Sequence, residues 1–105
     1  MSAAGALVLV GGLDPSGGAG VLRDFATARA VAPQRSTHTV ITTLTRQGDG
    51  RPATAQPLDE AALRRQLDAA PRPAAIKIGL VPAGLVDPLA TWLAEYDVTR
   101  VVDPV

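Results

Sequence analysis

The residues best suited to chemistry lie in one stretch, Gly12-Leu13-Asp14-Pro15-Ser16-Gly17-Gly18-Ala19-Gly20. Small residues let a backbone come close to a ligand. A helix that starts after such a loop offers unpaired N–H groups to a polar or anionic group. Two familiar phosphate loops are excluded. Gly12 and Gly17 have the Walker A spacing, but Gly18 stands where its Lys belongs, and no G-x-G-x-x-G fits. The same residues also fit a tight strand-to-helix turn capped by Asp14 or Ser16. Spacing leaves both readings open. His38 has no acidic or second His neighbour at ligand spacing and reads as an ordinary strand residue. Ser16 lacks the Gly-x-Ser-x-Gly frame of a nucleophile elbow. Arg64 and Arg65 read as a solvated helix face, and Trp92 as core.

The chain that must position these groups has 105 residues, room for one small domain. Its 47% hydrophobic and 19% charged content is that of a globular chain. Aromatics make up only 3%, so the core has to pack Ala, Leu and Val. Ten basic residues balance ten acidic ones, which leaves no one-signed field for nucleic acid or an anionic membrane. There is no cysteine. Disulfides, thiolate metal sites and Cys nucleophiles are therefore excluded, and a cytoplasmic setting is expected. The apolar run at residues 6–10 is too short for a signal peptide or a membrane span.

Residues 6–10 form a continuous apolar run closed by Gly11 and Gly12, which predicts a strand buried on both faces. A glycine-rich turn over residues 11–20 leads into a helix from Gly18 or Ala19 to about Val31, ended by Pro33. Residues 36–44 are rich in Thr, Val and Ile and predict the second strand. Residues 45–57 read as loop, with room for a short extended piece at 53–56. Asp59 is the expected cap of a helix to about Ala70, stopped by Pro71 and Pro73. Residues 75–80 predict the third strand. Leu85, Leu89, Trp92, Leu93 and Tyr96 mark a third helix; Pro88 either opens it behind Asp87 or interrupts one begun near Ala83. Residues 100–103 predict the fourth strand.

Strands alternate with helices and no hairpin signal is present. The expected fold is α/β, a mostly parallel sheet with flanking helices in one domain over residues 1–105. In such sheets ligands bind beyond the carboxyl ends of the strands. Residues 11–20, 45–49, 80–82 and 103–105 should therefore share one edge and one pocket.

Gly11 to Gly20, with its Asp-Pro-Ser-Gly-Gly-Ala-Gly core, resembles the opening signature of the hydroxymethylpyrimidine/phosphomethylpyrimidine kinases of thiamine biosynthesis. The resemblance continues through Asp24, through Val40-Ile41-Thr42-Thr43-Leu44-Thr45-Arg46-Gln47, through Lys77-Ile78-Gly79-Leu80, and through Val101-Val102-Asp103-Pro104-Val105. It implies a partial ribokinase-like (Rossmann-like) fold. It also implies ATP- and Mg2+-dependent phosphorylation of 4-amino-5-hydroxymethyl-2-methylpyrimidine and then of its phosphate. Carried over by position, Gln47 would hydrogen-bond the pyrimidine edge, since a side-chain amide offers donor and acceptor side by side. Gly12 would let the substrate reach the backbone. Leu80, where the family often has Met, and Val105 would be pocket walls. Asp14 and Asp24 would make polar contacts near the hydroxymethyl group, with capping and a solvated helix face as the other readings.

The sequence also departs from the family. Gln47-Gly48 replaces the usual Gln-Asn, and the segment at 31–37 lacks the usual Gly-aromatic-Gly turn. The family's Gly-rich anion-hole loop with its catalytic Cys is absent, as are most nucleotide-binding elements. The expectation is a substrate-side half, inactive alone, with no catalytic residue of its own. A homodimer or a complementary half is the expected partner, with no nucleic acid and no membrane. A non-catalytic aminopyrimidine- or partner-binding module and a pyridoxal-type kinase are the alternatives.

Overall fold

The computed structural model describes residues 5–46 and 50–103. Strand β1 (Ala6–Leu13) is followed by helix α1 (Gly20–Val31), β2 (Thr37–Arg46), β3 (Thr54–Pro57), α2 (Glu60–Ala69) and β4 (Pro73–Ile78). A 3-10 turn (Ala83–Leu85) then runs into α3 (Val86–Leu93), and β5 (Thr99–Val102) ends the order. The strands form one five-stranded sheet in the order β3-β2-β1-β4-β5. All neighbours are parallel except β2 and β3.

The central place of β1 explains its composition. It has a strand on either side and helices on both faces, so Val8, Leu9 and Val10 are all buried. Val8, Val10, Val40, Ile76 and Ile78 meet Leu63 and Leu67 of α2 and Leu85, Leu89 and Trp92 on the α3 side in one core. The opposite face is covered over β1 and β2 by α1, whose Val21 is buried. Each fully buried aliphatic side chain contributes about 1.5–3 kcal/mol.

Several expected boundaries need correction. β1 does not stop at Val10 but runs through both glycines to Leu13, because Gly12 and Leu13 still pair with Thr43 and Leu44 of β2. The register slips between Gly11 and Gly12, so β2 carries one extra residue there, as in a β-bulge. The extended piece expected inside a loop is β3, antiparallel to the end of β2. This pairing was not announced by a turn signal, since β2 ends at Arg46 and β3 begins at Thr54, too far apart for a two-residue turn. Pro73 does not merely stop a helix; it opens β4.

Two expectations about helix starts are resolved. Asp59 caps α2, its carboxylate accepting from the Ala62 N–H at 2.8 Å. Pro88 neither opens α3 behind a capping Asp87, since Asp87 is already inside the helix, nor interrupts the helical run that begins at Ala83. It lies in the first turn of α3, where a missing N–H costs no helical bond.

Candidate functional site

The carboxyl ends of β1 and β4 open on a cavity of about 230 Å³. Gly11, Gly12, Ala19, Gly20, Thr45, Gly79, Leu80 and Asp103 line it, so each of the four stretches expected at the strand ends contributes. Asp24 of α1 and Lys77 of β4 complete the wall.

The backbone is shaped to make this space. Gly20 has φ +70°, and a Cβ there would strike the Gly12 carbonyl oxygen. Only glycine lets α1 start so close to β1. At Gly12 a Cβ would sit 3.2 Å from Thr45 Cγ2 and 3.4 Å from Leu80 Cδ2, so the missing side chain leaves room on the cavity floor. Thr42, buried beside the bulge, donates from Oγ1 to the Leu80 carbonyl oxygen at 2.6 Å and holds the end of β4 in place. Thr45 Oγ1 donates to the Leu13 carbonyl oxygen at 3.2 Å. No side chain caps α1 at Ala19, which leaves its first N–H groups to other partners.

The charged groups form one cluster. Lys77 Nζ donates to Asp24 Oδ2 at 2.6 Å and lies 3.5 Å from Asp103 Oδ2. Asp24 and Lys77 side chains are each 24% exposed, while that of Asp103 is 62% exposed. A half-enclosed ammonium between two carboxylates is held in place and keeps both from being unpaired. The wall thus offers fixed acceptors beside an apolar floor.

Three of the expected site residues, Gly12, Asp24 and Leu80, come together here. Asp14 does not line this cavity. Its buried carboxylate accepts from the Ser16 N–H at 3.0 Å and from Ser16 Oγ at 2.9 Å, closing the Asp-Pro-Ser-Gly turn. This is a turn within the loop and not a helix cap, since no side chain caps α1. Gln47 and Val105 lie outside the described residues. Lys77, Asp103 and Thr45 are in the cavity wall without having been singled out as site residues. The signal for Lys77 was available: it is the one lysine among ten basic residues, set in the apolar run Ala75-Ile76-Lys77-Ile78.

A family comparison matches residues 14–105 to the phosphomethylpyrimidine kinase family. The chain belongs to that family. Its fold is ribokinase-like, like that of its structural neighbours. The phosphomethylpyrimidine kinase of Clostridium difficile 630 is 29% identical, with a TM-score of 0.81 over 95% of this chain and 48% of that one. A protein described as the last common ancestor of HMPPK and PLK/HMPPK vitamin kinases is also 29% identical, with a TM-score of 0.81 over 100% of this chain and 50% of that one. The Bacillus subtilis pyridoxal kinase, solved as an ADP complex, is 25% identical, with a TM-score of 0.77 over 95% of this chain and 40% of that one. The chain therefore spans half or less of the length of these relatives. No curated protein matches the sequence. Among the described residues no helix is long and apolar enough to cross a membrane.

Proposed function

We propose that this chain forms the pyrimidine-binding side of a hydroxymethylpyrimidine/phosphomethylpyrimidine kinase acting in thiamine biosynthesis. One observation carries the proposal. In a member of this family, the cavity at the ends of β1 and β4 combines an apolar floor with a fixed carboxylate wall. Leu80 and the Gly12 backbone suit the flat ring. Asp24 suits the hydroxymethyl group, accepting from its O–H. Gln47, placed by resemblance, would read the ring edge; Val105 would close the pocket.

The phosphoryl donor would be ATP, as the AMP-PCP and ADP complexes of kinase neighbours suggest. The cavity sets two carboxylates against one ammonium, and no group of three or more metal-ligating side chains occurs among the described residues. We assign this chain to holding and orienting the acceptor, and expect no turnover from it alone.

The pyridoxal kinase neighbours favour a second reading, a pyridoxal-type acceptor in the same cavity. Equilibrium dialysis of the chain against the aminopyrimidine and against pyridoxal separates the two. Tighter pyrimidine binding is expected; tighter pyridoxal binding would shift the assignment to the second reading, and binding of neither would refute both.

A further inference from the structure

Lys77 is an unusual residue for its place. It sits within β4 between the core residues Ile76 and Ile78, on the opposite face of the sheet, where it pairs in register with Leu9 and Val101. A part-buried charge near the end of a parallel strand costs desolvation unless it is paired. Its partners come from two other elements, Asp24 from α1 and Asp103 from just beyond β5. α1 packs on β1 and β2, so Lys77 is the described side chain that reaches from β4 to its carboxylate.

We infer that Lys77 is a positioning residue: its ammonium fixes the Asp24 carboxylate at the cavity wall, so that the free carboxylate oxygen Oδ1 accepts from the ligand's hydroxyl. The inference rests on the proposed pyrimidine reading for its ligand, but not for the Lys77–Asp24 link itself. Without Lys77, Asp24 and Asp103 would face each other unneutralised, and the Asp24 side chain would turn toward solvent. The apolar floor at Gly12 and Leu80 would be untouched. Loss of Lys77 should therefore weaken only the part of binding that uses the hydroxyl.

Calorimetry with two ligands tests this, the 5-hydroxymethyl pyrimidine and its 5-methyl analogue, which lacks the hydroxyl. Lys77→Met is expected to weaken the hydroxymethyl ligand by about tenfold or more, the scale of a hydrogen bond to a charged group, and to leave the methyl analogue unchanged. Lys77→Arg should restore most of the lost affinity. Equal loss for both ligands, or no loss for either, would overturn the positioning role. If neither ligand binds the unaltered chain, the pyrimidine reading fails, and a denaturation cycle of Lys77→Met, Asp24→Asn and the double variant decides the link alone. Clear non-additivity is expected, and additive effects would overturn it.

Discussion

Thr45 lines the cavity, and Gln47 follows it two residues later, beyond the described end of β2. If the chain delivers the Gln47 amide to the ring edge, Gln47→Ala should weaken pyrimidine binding by about 1–3 kcal/mol, the cost of leaving a buried partner unpaired. Calorimetry on both proteins checks this, and equal affinities would put Gln47 in solvent. Asp14 shows where residue type alone falls short. An acidic side chain in a glycine-rich loop suits a ligand and a turn equally, and only the hydrogen bonds from Ser16 assign it to the turn. Lys77 shows the reverse. Its strand position was legible, but its partners lie 53 residues upstream and beyond the next strand, where no local pattern reaches.

At the scale of elements, the edge of β2 depends on one side chain. β3 begins to pair only at Thr43, so Ile41 needs another partner on that side. Gln66 of α2 supplies it: its Oε1 accepts from the Ile41 N–H at 2.8 Å, and its Nε2 donates to the Ile41 carbonyl oxygen at 2.7 Å. Gln66→Ala should destabilise the fold by about 1–3 kcal/mol, because part-buried backbone groups lose their partners. Chemical denaturation would show it, and an unchanged midpoint would mean that water replaces the amide. The alternation of strands and helices was legible because β1, β2, β4 and β5 are short apolar or β-branched runs and the stretches between them carry Gly, Pro or helical spacing. The register slip at Gly11 and Gly12 was not, since it arises from pairing with a strand that lies about thirty residues further along. The four strand ends met at one cavity for topological reasons, without any motif being needed.

At the scale of the molecule, the sheet is covered unevenly. β5 is exposed along its whole length, with Val101 at 56% and Val102 at 65%. Val102 also borders an open groove of about 380 Å³ formed with Leu80, Val86, Leu89 and Leu93. An exposed apolar edge strand tends to pair with another chain. The isolated chain is therefore expected to self-associate or to melt at low temperature, and sedimentation with thermal melting would show which. A monodisperse monomer melting well above about 65 °C, beyond the mesophile range, would contradict this and favour a stand-alone binding module. The central claim, that the cavity at the ends of β1 and β4 takes the aminopyrimidine, is tested most directly by calorimetric titration of the unaltered chain and of Gly12→Val. Side-chain atoms at position 12 would enter the space between Thr45 and Leu80. Saturable binding to the unaltered chain that is abolished in a folded Gly12→Val variant is the expected result; undiminished binding to the variant would contradict the account.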